Sequence, residues 1–218
     1  MTAPDDLEPG LDGLLALGDP VRRAAFRAVT ARGGEPVSRE EVAAALGIGR
    51  TLAAFHLDKL ADAGLLAVSY ARRSGRTGPG AGRPAKLDRP APGEHAVSVP
   101  PRAYRSAAEL LAEAVDRAGA DAVLHQVARE RGRAEGADGD VMTLLAARGY
   151  DPVRDGARIR LRNCPFHRLA EQFPPVVCGM NLALVDGLLD GAGVTGWLAA
   201  IDPSAGHCCV ALSKAKHR

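Results

Sequence analysis

Two short helical segments separated by three residues, followed by a strand and a basic Gly/Pro-rich loop, limit what the first 90 residues can become. Ser38-Arg39-Glu40-Glu41 is a capping box, with a hydroxyl at the cap and a carboxylate three residues on. Val42, Ala45 and Leu46 form the apolar side of a short helix that Gly47 ends. The next helix covers about residues 50–63, with Leu52, Ala53, Leu57 and Leu60 expected to face inward, and Gly64 terminates it. Upstream, Asp19-Pro20 starts another helix, with Val21, Ala24, Ala25, Ala28 and Val29 at helical spacing, and Gly33-Gly34 stops it. Downstream, residues 65–71 read as a strand and Lys86-Leu87 opens a return strand. Three helices, a strand, a loop and a second strand make a winged helix-turn-helix.

Charge supports a polyanionic partner for this half. Residues 20–89 carry 13 Lys/Arg against 6 Asp/Glu, whereas residues 91–218 carry 15 of each. The loop RRSGRTGPGAGRPAKLDR alone holds six cations and one acid. In a helix-turn-helix the second helix turns its N-terminal residues toward base edges in the major groove. Arg50 and Thr51 are therefore the expected readers, Ala54 permits close approach, and Lys59 reaches toward phosphate. On the wing, Arg72, Arg73, Arg76 and Arg83, with Lys86 at its base, suit the phosphate backbone or a narrow minor groove. His56 either packs or reaches phosphate. The segments LGDPVRRAAF, SREEVAAALGIGRTLAAFHLDKLADAGLL and GRTGPGAGRPAKL resemble the ArsR-like and DeoR-like winged-helix regulators over about residues 14–90.

The rest of the chain changes character twice. Residues 104–118 form an amphipathic helix with an apolar stripe of Ala107, Leu110, Leu111, Ala114 and Val115, and two further helices cover 121–133 and 140–148. Asp155-Gly156 then marks a hairpin between strands at 150–154 and 157–162. A helix at 176–189 and strands at 194–201 and 207–212 complete a small ββαββ unit. The expected class is α+β. It comprises a flexible tail (1–10), a winged helix-turn-helix (11–90), a linker (91–100), a helical dimerisation region (101–149) and an α+β cofactor-binding domain (150–218).

All four cysteines lie in that last region: Cys164, Cys178, Cys208 and Cys209. Thirteen residues separate the first two and twenty-nine the next pair. This is not the tight Cys-x-x-Cys spacing of most structural zinc sites, so ligands must come from separate elements of a folded domain. Placed on a strand, Cys208 and Cys209 are expected to point to opposite faces, which keeps them from one centre unless the chain bulges. The segments NCPFH, VCGMNLALVDGLL and GHCCV resemble the SufR family, winged-helix repressors of iron–sulfur cluster assembly genes. That resemblance implies that Cys164, Cys178 and Cys208 ligate a [4Fe–4S] cluster, with His167 or Cys209 as a possible fourth ligand. It also implies a repressor that leaves DNA when the cluster is lost. Thiolates suit zinc as well, so a zinc-responsive or directly thiol-oxidised regulator is the alternative.

Other classes fare worse. A cysteine-dependent redox enzyme is the remote alternative, because the chain has no P-loop, no dinucleotide fingerprint and no nucleophile–base pattern with supporting context. No apolar run approaches the roughly 18–20 residues that span a bilayer. The acidic N-terminus is unlike a secretory signal, so a cytoplasmic protein is expected. The expected partners are double-stranded DNA and a second copy of the chain, the latter through the helix at 104–118 and matched to inverted half-sites.

Overall fold

The computed structural model describes residues 7–72, 84–92, 94–100, 102–136, 139–204 and 206–215. The chain divides into two compact units, Met1–Ala103 and Tyr104–Arg218.

The first unit runs α1 (Leu7–Ala16), α2 (Pro20–Thr30), β1 (Val37–Ser38), α3 (Arg39–Leu46), α4 (Arg50–Asp62), β2 (Leu66–Ala71) and β3 (Ala85–Pro90). Asp19 caps α2, its carboxylate accepting from the Arg22 N–H at 2.8 Å. The capping box closes in both directions: Ser38 Oγ accepts from the Glu41 N–H at 3.3 Å, and the Ser38 N–H donates to Glu41 Oε2 at 2.8 Å. Gly47 ends α3 at φ 66°, a left-handed conformation that only glycine adopts without penalty, and so turns the chain into α4 within three residues.

The three strands are antiparallel in the order β1-β3-β2. Ala25, Val29, Val37, Val42, Leu57 and Leu60 lie at the centre of the unit, each at most 2% exposed. Asp88 shares this interior. It stands opposite Val37 on β1 and Val68 on β2, is wholly buried, and neither of its carboxylate oxygens has a hydrogen-bond partner among the described residues. Burial pushes its carboxyl above the usual range, against the lowering pull of the Lys86 and Arg39 charges.

Three features depart from the sequence reading. Residues 7–10, read as the end of a tail, are the first turns of α1. The short β1 extends the hairpin to three strands. Leu52 is 45% exposed rather than inward, because the buried stripe of α4 is Ala53, His56, Leu57 and Leu60, at i, i+3, i+4 and i+7. Leu52 falls outside that stripe.

The second unit runs α5 (Tyr104–Ala118), α6 (Asp121–Glu135), α7 (Val141–Ala146), β4 (Pro152–Asp155), β5 (Arg158–Leu161), α8 (His167–Gln172), α9 (Pro174–Gly191), β6 (Trp197–Ile201) and β7 (Val210–Lys214). Its sheet is antiparallel in the order β4-β5-β7-β6. Leu145, Ile159, Leu161, Val185, Val210 and Leu212 are fully buried around it. The β4–β5 hairpin turns at Asp155-Gly156 as its sequence suggests. The short α8, which buries no residue, has no apolar periodicity to announce it.

Helices α6 and α9 meet through glycine. A Cβ at Gly132 would lie 2.2 Å from the Leu184 carbonyl oxygen, one at Gly187 2.2 Å from that of Arg129, and one at Gly191 2.2 Å from that of Arg133. No side chain fits between the two backbones at these points. The contact fixes α9, and with it Cys178 and Asn181.

Candidate functional site

Two arrangements in the described residues are candidate sites: the outward face of α4 and the cysteines of the second unit.

On α4, Arg50 Nε pairs with Glu40 Oε1 of α3 at 2.6 Å while remaining 70% exposed. Thr51 is exposed and Ala54 half-buried. Lys59, half exposed, lies 3.8 Å from Asp62. His56 is buried, its Nδ1 4.0 Å from Asp19 Oδ1, so it packs beneath the α2 cap rather than reaching a phosphate. Lys86 donates to Asp58 Oδ1 at 2.5 Å, and Arg39 donates to the same carboxylate at 3.0 and 3.3 Å. Burial pushes the Asp58 carboxyl upward, but the Lys86 hydrogen bond and charge, followed by Arg39, outweigh it and hold the group below its ordinary value. Lys86 thus ties β3 to α4 and is only 20% exposed. Arg72 is exposed just past β2. The expected wing residues Arg73, Arg76 and Arg83 lie outside the described residues. The sequence reading missed Phe55, which is 51% exposed on the same outward face.

In the second unit the fold brings all four cysteines together. Cys164 lies between β5 and α8, Cys178 in the second turn of α9, and Cys208 and Cys209 just before β7. Cys164 neighbours Cys208, Cys208 neighbours Cys209, and Cys209 neighbours Cys178, each pair close enough to interact electrostatically. The expectation that Cys208 and Cys209 diverge is corrected. Strand pairing begins only at Val210, so the strand alternation does not reach them. The chain turns at Gly206 (φ 73°), and backbone bonds then hold the bend: the Cys208 N–H donates to the Leu161 carbonyl and the Asp202 N–H to that of Cys209, both at 2.7 Å.

Cys208 is the centre of this chain of thiols. Its sulfur accepts from Asn181 Nδ2 at 3.3 Å and from the Val210 N–H at 3.5 Å, besides the neighbouring thiols. Tyr150 in turn donates its hydroxyl to Asn181 Oδ1 at 2.5 Å. The Cys164 hydrogen bond, reinforced by the Val210, Cys209 and Asn181 donors, lowers Cys208 to about 6 in spite of burial. Cys164 moves the other way, raised first by its bond to Cys208 and then by burial. Cys209 is raised by burial and by its neighbours Cys178 and Cys208.

The result is one acidic sulfur ringed by donors, with Cys164 and Cys209 beside it and Cys178 beside Cys209. Soft sulfur donors from three separate segments suit a thiophilic metal or an iron–sulfur cluster. Among the described residues, no group of three or more His, Cys, Asp or Glu is arranged so that it could hold a metal ion. His167, the other candidate ligand, is 70% exposed and pairs with Glu171 at 3.2 Å. His125, read from sequence as a surface residue, instead lies half-buried against α9. A Cβ at Gly179, next to Cys178, would come within 2.4 Å of its Nε2. Its ring lines an open cleft of about 410 Å³ between α6 and α9.

A family model described as a helix-turn-helix domain matches residues 17–69, which spans α2, α3, α4 and most of β2. The match supports a DNA-binding transcription regulator with a helix-turn-helix of the ArsR-like type. No curated protein matches the chain. No solved structure matches it either. No helix among the described residues is long and apolar enough to cross a membrane.

Proposed function

We propose that this chain is a homodimeric transcription repressor whose DNA affinity is set by a cofactor held on the cysteines of its second unit. The observation that carries the reading is the convergence of four sulfurs from three segments in a chain whose other unit matches a helix-turn-helix. Arg50 and Thr51 contact the duplex from α4, and Lys59, Arg72 and the wing arginines Arg73, Arg76 and Arg83 neutralise phosphate. Lys86 acts by holding the hairpin to α4 rather than by touching DNA.

Cys164, Cys178 and Cys208 hold a [4Fe–4S] cluster, and Cys209 is the fourth sulfur in preference to the exposed His167. The resemblance of the cysteine segments to the SufR repressors supports this cofactor and the control of cluster-assembly genes. Such a cluster supplies one-electron redox chemistry and sensitivity to iron supply and oxidants. The protein supplies the donors to Cys208, the Asn181–Tyr150 pair behind it, and the glycine contact that fixes Cys178. Dimerisation uses α5, where Ala107, Leu110, Leu111 and Ala114 are all exposed, the two leucines at 67 and 68%.

A second reading is favoured by the Cys164–Cys208 hydrogen bond: the acidic Cys208 and its neighbour form a disulfide when an oxidant removes two electrons and two protons. Anaerobic purification with iron, sulfide and zinc analysis, followed by duplex binding at several salt concentrations, tests both. Visible charge-transfer absorbance with iron and sulfide, lost in Cys164→Ser, Cys178→Ser and Cys208→Ser, supports the cluster. A colourless protein with stoichiometric zinc, or with a reversible disulfide, replaces it. Absence of salt-sensitive duplex binding overturns the regulator reading itself.

A further inference from the structure

We infer that Leu52 and Phe55 of α4 form an apolar reading head that recognises thymine C5-methyl groups in the major groove. This rests on the DNA-binding reading above. The buried stripe Ala53, His56, Leu57 and Leu60 fixes the rotation of α4 against its core, so Thr51, Leu52, Phe55 and Lys59 share the opposite face. Two large apolar side chains on that face stand 45 and 51% exposed.

Cations flank this apolar pair: Arg50, paired with Glu40 at 2.6 Å, stays 70% exposed, and Lys59, 3.8 Å from Asp62, stays 50% exposed, so both still reach the duplex. The Phe55 ring is steadied by the edge of the buried His56 ring, with centroids 5.4 Å apart at 70°. A helix that enters the major groove finds one apolar feature on the base edges there, the thymine methyl. The basic excess of residues 20–89 argues for a duplex rather than a protein as the occupant of this face. Thr51, one turn before Phe55, adds a methyl and a hydroxyl to the same stripe.

The test uses the full chain and a duplex selected from a random-core pool. The selected duplex is resynthesised with deoxyuridine replacing thymine one position at a time, which deletes only the methyl. We expect one or two thymines per half-site at which the replacement weakens binding about fourfold, the equivalent of one buried methyl group. In Phe55→Ala or Leu52→Ala that penalty falls to within twofold of no effect at the corresponding thymine. Their salt dependence stays that of wild type, since no phosphate contact is lost. Restoring the methyl as 5-methylcytosine in a guanine pair tests whether the methyl alone is read, and partial recovery supports the inference.

Wild-type binding that is indifferent to every thymine-to-deoxyuridine change overturns it and leaves DNA binding standing. So does a deoxyuridine penalty that persists unchanged in both alanine variants. Failure of the wild-type chain to select any duplex overturns this inference together with the regulator reading. Both side chains are about half exposed, so the variants are expected to fold, which circular dichroism checks.

Discussion

Each unit buries polar groups in its interior, and the two do so in opposite ways. In the first, Asp88 is wholly buried between its cross-strand partners Val37 and Val68, with neither carboxylate oxygen hydrogen-bonded among the described residues. Its charge is opposed only at a distance by Lys86 and Arg39. In the second, Tyr150, Asn181 and Cys208 are as deeply buried but form a continuous chain of donors and acceptors ending on sulfur. An unsatisfied buried carboxyl subtracts from stability. A satisfied buried network instead holds a reactive atom in one geometry. The second interior thus holds its sulfur through a complete hydrogen-bond network, whereas the first tolerates an unpaired carboxyl.

The comparison can be broken most violently at Gly187. Alanine there places a Cβ against the Arg129 carbonyl oxygen, and the second unit is expected to lose about 3 kcal/mol or more. Urea unfolding followed by Trp197, the chain's single tryptophan, reads that unit directly. A loss below about 1 kcal/mol would mean that α6 and α9 separate easily.

Asn181→Leu is the next largest. It strands the Tyr150 hydroxyl and removes one donor from Cys208, for a loss of about 2 kcal/mol. It also raises Cys208 from about 6, measured by thiolate ultraviolet absorbance against pH in metal-free protein. Because the folded value is depressed, the stability that Cys208 contributes is present above the ordinary thiol range and fades as pH falls through about 6. Unchanged thiolate titration in Asn181→Leu would remove the amide from the site.

Asp88→Asn is the smallest effect and carries the opposite sign. It is expected to stabilise the first unit by about 1 kcal/mol at neutral pH. The folded carboxyl of Asp88 is raised, so its contribution is most favourable below the ordinary carboxylate range and is lost as pH climbs through the raised value. The asparagine variant should show no such decline in thermal melts across that range. Destabilisation by Asp88→Asn would instead assign the main role to attraction from Lys86 and Arg39.

The first unit was legible because local signals and packing agree. Ser38, Glu41, Gly47 and Gly64 each mark a helix boundary by their own backbone chemistry, and the structure uses all four. Leu52 was misplaced because periodicity fixes a helix's apolar arc only to within a residue at its edge, and the same uncertainty hid the exposure of Phe55. In the second unit the cysteines could be picked out by type and grouping, but their convergence could not. It depends on a bend at residues 206–209, held by hydrogen bonds with nearby Asp202 and with Leu161, which is remote in sequence. Asn181 carried a faint signal, an amide inside the apolar run of α9, but its partners Tyr150 and Cys208 come from other segments. The glycines of α6 and α9 read as helix weakeners until their partner backbones are seen.

Helices that touch backbone to backbone leave no pliant cushion between them. Alkyl side chains at an ordinary helix crossing can reshuffle rotamers and absorb a small displacement before it travels. At Gly132, Gly187 and Gly191 nothing is present to absorb it. Any shift imposed on Cys178 at the head of α9 must therefore carry α6 along as one rigid lever.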